Sequence, residues 1–249
     1  MNSQKIRIDD LLVELSLAED KKQAQALVLA GKVYCSDRKF TNPSQTISRS
    51  SKIFCKSTNT RVGRGGLKLE SAIKDLQIEN LIVDKVVLDI GCSTGGFTQC
   101  LLEHHAKHVI ALDVGSNQLD WRIRKDNRVT TLEKTNIKDF NNNDFPQIDF
   151  ITADISFNSL SRLAQPIAKA LGSEGKHLLL LVKPQFELAA RLIPDGGIVT
   201  DATSQQQAVD KVTKTFKTLN FSLIATCKSK VKGTSGNQEF FSFFKRDNF

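Results

Sequence analysis

Apolar positions in the first 56 residues recur at helical spacing and then fall into short alternating runs. Ile8, Leu11, Leu12 and Leu15 make one helical stripe. Asp20 is placed to cap a second helix with the apolar face Ala24, Leu27 and Val28, closed by Gly31. Strand-like pieces at 32–35, 45–48 and 52–55 follow, separated by Ser, Asp, Asn and Pro turns. This predicts a small α+β module over residues 1–56. Residues 57–67 are polar, basic and glycine-rich, the composition of a hinge. From Lys85 onward, apolar runs at 86–90, 109–112, 148–153 and 178–182 alternate with helical stretches near 97–105 and 160–171. Strands separated by helices predict an α/β unit with a doubly wound, largely parallel sheet over 68–249. Runs at 221–225 and 239–244 predict a closing pair of strands, with the terminal phenylalanines in the core rather than exposed as a surface for bases.

Composition narrows the class. The chain has 249 residues, 35 Lys+Arg against 27 Asp+Glu, and a net charge of +8. Residues 1–67 hold 12 of those cations and 6 of the anions, so the basic excess belongs to the first module and favours a polyanionic partner, nucleic acid or an anionic membrane surface. The longest charge-free apolar run, 177–182, is far shorter than the roughly 20 residues that span a bilayer. The first residues lack the apolar stretch of a secretory signal, and five dispersed cysteines without a C-x-x-C pair read as reduced thiols. A cytoplasmic protein is expected. His104 and His108 stand four apart, but with Glu103 as the nearest acid and no Cys beside them they read as a solvated helix end, and no metal is expected.

The first strand of the second unit runs into Asp89-Ile90-Gly91-Cys92-Ser93-Thr94-Gly95-Gly96-Phe97. Glycines there let the backbone approach a ligand, and Asp113 at the end of the next strand can accept hydrogen bonds from two ribose hydroxyls. The loop does not spell the G-x-G-x-x-G of dinucleotide binding. Its D-x-G-x-x-x-G form resembles the S-adenosylmethionine loop of class I methyltransferases. That resemblance implies a Rossmann-like fold and a donor site made of Asp89, Gly91, Ser93, Thr94, Gly95, Gly96, Phe97 and Asp113, joined by Asn136 and Asp154. Glu133 and Thr135 would border the adenosine.

R-I-D-D-L-L-V-E with K-K-Q-A-Q-A-L-V-L-A-G-K-V-Y resembles the S4-type RNA-binding domain. It implies RNA contact by Arg7, Lys21, Lys22, Lys32, Arg38 and Lys39, with Arg61 and Arg64 following in the linker. Any one of these cations reads equally well as a solvated surface charge. R-G-G-L-K-L-E (64–70), S-T-G-G-F-T (93–98), D-I-S-F (154–157), L-V-K-P-Q-F-E (181–187) and G-N-Q-E-F (236–240) occur in that order. Together they resemble the TlyA (haemolysin A) family of ribosomal RNA ribose methyltransferases, with an FtsJ-like catalytic domain. Gly63 departs from the family, which usually carries serine before R-G-G.

The resemblance implies S-adenosylmethionine as cofactor, ribosomal RNA or ribosomal subunits as partner, methylation of cytidine 2′-hydroxyls, and a catalytic set of Lys68, Asp154, Lys183 and Glu239. A ribose hydroxyl is a poor nucleophile, so a base must take its proton as it attacks the methyl. Lys183 is the candidate base, since desolvation and a neighbouring ammonium favour a neutral amine. Lys68 would supply that charge or orient the hydroxyl, and Asp154 and Glu239 would hold the ammonium groups. Phe157 would pack on the adenine, on the target base or in the core, and Pro184 would fix the turn after Lys183. Two other classes remain open: a membrane-active haemolysin, which lysis of liposomes without donor would reveal, and a non-catalytic RNA-binding assembly factor, which a donor-binding test would separate.

Overall fold

The computed structural model describes residues 5–247 apart from Ser16, Glu19, Asp37 and 56–61. The chain divides into two units, Met1–Thr60 and Arg61–Phe249. In the first, β1 (Lys5–Arg7) leads into α1 (Ile8–Glu14) and α2 (Lys21–Leu29). The Asp20 carboxylate accepts the Gln23 amide at 2.7 Å and so starts α2. Short strands β2 (Val33–Cys35), β3 (Arg38–Phe40), β4 (Thr46–Ser48) and β5 (Ile53–Cys55) complete the unit. They form a β1-β4 pair and a β3-β2-β5 sheet, all antiparallel. Ile8, Leu12, Ala24, Val28, Val33 and Phe40 make the core. Leu15, expected there, is exposed, because α1 stops one residue before it.

The second unit opens with α3 (Arg64–Leu76), then β6 (Val86–Ile90), α4 (Gly96–Glu103), β7 (His108–Leu112), α5 (Trp121–Arg124) and β8 (Val129–Leu132). It continues through β9 (Phe150–Ala153), α6 (Leu160–Ala170), β10 (His177–Val182), α7 (Pro184–Glu187), α8 (Ala202–Lys217), β11 (Phe221–Lys228) and β12 (Phe240–Arg246). Sheet order is β11-β12-β10-β9-β6-β7-β8, parallel from β10 to β8, with β12 antiparallel to both neighbours. Alternate strand residues feed two cores. Leu88, Ile90, Leu178 and Leu180 pack on α6 and α8, while Val87, Leu179, Leu181 and Phe241 pack on α3 and α4. Phe241 and Phe244 are fully buried, the core role expected of the terminal phenylalanines. No described helix is long and apolar enough to cross a membrane.

Strand order reverses between β6 and β9, so their carboxyl ends frame the crevice where open α/β sheets bind ligands. One expectation needs correcting here. Within the expected 57–67 hinge, Arg64 to Leu67 form the first turn of α3. The reason is packing: a Cβ on Gly96 would lie 2.9 Å from the Gly66 amide and 3.3 Å from the Gly65 Cα, so α3 and α4 meet through bare backbone. The glycines serve close approach, not flexibility. That contact brings Lys68, one turn along α3, towards the crevice.

Gly96→Ala therefore forces the helices apart. Urea unfolding of this variant is expected to show a loss of about 1–3 kcal/mol, the usual cost of overpacking; an unchanged midpoint would show that the crossing tolerates a methyl group.

Candidate active site

Asp89, a member of the expected donor loop, has no exposed surface. Its carboxylate accepts Thr98 Oγ1 at 2.7 Å and Thr152 Oγ1 at 3.2 Å, tying β6 to α4 and β9. Burial drives its pKa up to about 7, with the Asp154 charge adding to the rise and the two hydroxyls opposing it. It supports the loop from beneath and lines neither of the two cavities at the edge of the sheet, so the structure gives its carboxylate a bracing role among β6, α4 and β9.

Two cavities open at the carboxyl edge of the sheet. The first, about 620 Å³, has an apolar wall of Ile90, Leu112, Ile137, Ile155 and Leu163, with Gly91, Ser93, Asp113, Asn136 and Asp154 among its polar groups. Gly91 has φ +81°, and a Cβ there would lie 2.5 Å from the Asp154 carbonyl oxygen, so the backbone turn is open only to glycine. Asp113 accepts the Ser93 amide at 2.8 Å and the Gly115 amide at 2.7 Å, one on each oxygen. Each oxygen keeps a lone pair for a ribose hydroxyl. An apolar slot with one carboxylate at its end fits an adenosine with its sugar.

The second cavity, about 320 Å³, holds the four residues expected to be catalytic. Lys68 Nζ lies 2.6 Å from Glu239 Oε2, both side chains nearly buried. Lys183 Nζ lies 2.7 Å from Asp154 Oδ1 and donates to Ser156 Oγ at 2.7 Å. Asp154 and Lys183 follow the parallel strands β9 and β10, whereas Glu239 precedes β12. Because β12 is antiparallel, its start reaches the edge where β9 and β10 end. Pro184 begins α7, and Glu187, almost fully buried, accepts the Leu160 amide together with Ser159 Oγ at 2.7 Å and Ser161 Oγ at 2.9 Å. That carboxylate caps α6 and pins the turn that carries Lys183.

The two cavities share Gly91, Ser93, Asp154, Ser156 and Phe157. Of the expected donor residues, Thr94, Gly96 and Phe97 face the catalytic cavity instead, and Phe97 stacks on Phe241 with centroids 6.0 Å apart. Gly95 lines neither cavity and packs towards Leu119. Glu133 lines neither as well; it pairs with Arg124 at 2.8 Å, which holds its carboxyl down at about 2. Thr135 donates to the Glu133 carbonyl at 3.1 Å. Phe157, far from being core, is 93% exposed at φ 61°, its ring 5.7 Å from that of Phe186.

Arg64, placed in the linker by sequence, sits on α3 at the catalytic cavity, and its guanidinium donates to the Lys232 carbonyl. Ser156, Gln185, Thr234 and Ser235 also line that cavity and were not singled out from sequence. The signal for Ser156 was its place two residues beyond Asp154 at a strand end. Gln185 carries a buried amide oxygen without a hydrogen-bond partner among the described residues.

On the first unit, Arg7 is engaged by Asp9 at 2.9 and 2.7 Å, and Lys21 by Asp10 at 2.7 Å. Lys22, Lys32, Arg38 and Lys39 are exposed, and Arg61 lies outside the described residues. Among the described residues one group, Glu70, Cys100 and His104, could offer three donor atoms to a metal, all within 4.8 Å of one another. His104, expected at a solvated helix end, instead meets Glu70 at 2.8 Å, because α3 runs alongside α4. Lys74 and His104 together hold Glu70 down at about 2.

Residues 61–246 match the FtsJ-like methyltransferase family and residues 6–53 match the S4 domain. The chain is 38% identical to the "Putative rRNA methyltransferase YqxC" of Bacillus subtilis, over 96% of this chain and 85% of that protein. It is 33% identical to the 16S/23S rRNA (cytidine-2′-O)-methyltransferase TlyA of Mycobacterium tuberculosis, over 98% of this chain and 91% of that one. Among solved structures, the "Putative hemolysin from Streptococcus thermophilus" superposes with a TM-score of 0.72 at 34% identity, covering 99% of this chain and 90% of that one.

Asp89 gives a pH test of the site's foundation. Its native carboxyl keeps a proton up to about 7, whereas an unfolded Asp releases it near ~4. Between those values the native state binds more protons, so stability falls as pH rises across the window. The urea midpoint is expected to drop from about pH 5 to about pH 8 in the parent and to drop less in Asp89→Asn; equal drops would mean that Asp89 is ionised throughout.

Proposed function

Because the chain belongs to the FtsJ-like methyltransferase family and carries an S4 domain ahead of its catalytic unit, we propose that it methylates the ribose 2′-hydroxyl of cytidine in ribosomal RNA of one or both subunits. The reading rests on one observation above all: a cavity with an apolar wall and the Asp113 carboxylate meets, at Gly91, Asp154 and Ser156, a cavity holding two lysine–carboxylate pairs. S-adenosylmethionine, the methyl donor, supplies an electrophilic methyl group on a sulfonium. Asp113 would take the donor's ribose, and the apolar wall its adenine.

In this reading the acceptor ribose enters the second cavity. Lys183 takes the hydroxyl proton as the oxygen forms its bond to the methyl carbon and the methyl–sulfur bond breaks, its electron pair staying on the sulfur. Asp154 and Ser156 hold the resulting ammonium in place. Lys68, fixed by Glu239, orients the hydroxyl and stabilises the charge that develops on its oxygen. Phe157 and Phe186 offer an aromatic rim on which the base of the target nucleotide can rest. Exposed cations of the first unit, Lys22, Lys32, Arg38 and Lys39, would meet phosphates, and Arg7 and Lys21 would do so on leaving their carboxylates. Acting on ribosomal RNA, the protein would work in the cytoplasm.

Methyl transfer from labelled S-adenosylmethionine to purified, unmethylated ribosomal subunits, followed by nucleoside analysis, tests this directly. Label is expected in 2′-O-methylcytidine. Lys183→Ala is expected to lower the rate by about 10²-fold or more with donor binding near the parent value. Label on a base, or undiminished turnover by Lys183→Ala, would overturn the assignment.

A further inference from the structure

The β3-β2-β5 sheet of the first unit has one face in the core and one face in water. Val33 and Phe40 are fully buried and Cys35, Ile53 and Cys55 pack beside them. The registers Tyr34↔Lys39 and Tyr34↔Phe54 put Lys39, Tyr34 and Phe54 in a single row on the opposite face, whereas Arg38 is in register with Cys35. In that row Tyr34 and Phe54 stack, centroids 5.9 Å apart and planes 12° from parallel. Phe54 is 49% exposed. Lys39 is exposed at one end of the row, its side chain lying across Gly31. Lys32 and Lys52 are exposed and directly precede β2 and β5, each two residues before an aromatic of the row.

About half of Phe54 stays in water, so that ring gains little from the fold, and Tyr34 beside it is half-buried. Strands β2, β3 and β5 carry Arg38 and Lys39 and no acidic residue. Aromatic rings flanked by cations suit a ligand with planar faces and regularly spaced negative charge. Single-stranded RNA has both: every unpaired base offers a π-face, and each phosphate offers an anion within reach of a lysine. A duplex hides its base faces in its own stack and offers only phosphates.

We propose that this face is a stacking platform for an unpaired RNA segment, with Phe54 and Tyr34 taking bases and Lys32, Lys39 and Lys52 taking the flanking phosphates. The proposal rests on the RNA-modifying reading above and adds to its phosphate contacts, which share Lys32 and Lys39, a surface that takes unpaired bases.

The test uses the full chain and fluorescence anisotropy with a labelled pyrimidine-rich RNA 12-mer, single-stranded or annealed to its complement. In Tyr34→Leu/Phe54→Leu, single-strand binding is expected to weaken about tenfold or more, with duplex binding, salt slope and urea midpoint unchanged. In Lys32→Gln/Lys39→Gln/Lys52→Gln, the slope of log K against log salt should shrink by about 2. Unchanged single-strand affinity in the aromatic variant, or an equal loss on duplex and single strand, overturns the platform. So does capture of phosphatidylglycerol vesicles by the parent that the aromatic variant loses while its RNA binding persists. Methyl transfer to subunits is measured separately: label with a failed platform rejects this proposal alone, and a working platform with no label rejects the catalytic reading alone.

Discussion

Where α3 crosses α4, no side chain separates the helices: Gly65 and Gly66 of one face Gly96 of the other at backbone distance. The Lys68 side of the catalytic cavity depends on that closeness. Lys68 stands one turn beyond the crossing and reaches Glu239 at 2.6 Å, and the loop that precedes α4 forms a wall of both cavities. A helix held a methyl group further out would carry its lysine away from a carboxylate that cannot follow, since Glu239 directly precedes a strand hydrogen-bonded on both sides.

The two lysine–carboxylate pairs are a poor source of stability. Moving ions out of water costs several kcal/mol each before attraction returns part of it. Their value lies in order: each amine has one position, set by a carboxylate that the sheet itself positions. The buried Glu187 does the same for the turn after β10, using α6 as its anchor. The site is thus held by polar contacts made between elements, over a sheet whose apolar faces set the frame.

Much of the fold was legible because strands buried on both faces read as near-continuous apolar runs: β7 and β10 do so after an initial His, and β6 and β9 are interrupted only by Asp89 and Thr152. Helices α3 and α8 were not singled out: α3 opens on R-G-G, which reads as a turn until its partner glycines are seen, and α8 is a mostly polar segment with only Ala208, Val209, Val212 and Phe216 buried. Strand β3 hid because two of its three residues are charged. Family, fold, donor and reaction class could be read from ordered motifs and are supported by the relatives. Roles inside the donor loop could not, because sequence does not say which way a side chain points: Asp89 turns into the core while Gly91, two residues on, opens to the cavity. His104 was misjudged for a similar reason, its partner Glu70 being far away in the chain.

The antiparallel setting of β12 has a consequence for the order of assembly. Asp154 and Lys183 arrive on strands that follow one another along the sheet, but Glu239 arrives on a strand that inserts between β10 and β11, both made earlier. During synthesis β10 thus presents a bare edge, and Lys68 has no counter-ion, until the polypeptide has been made past residue 239. The last strand therefore also closes the ion pair: a growing chain can fold most of its sheet beside the ribosome that makes it and still lack the carboxylate that Lys68 meets in the finished cavity.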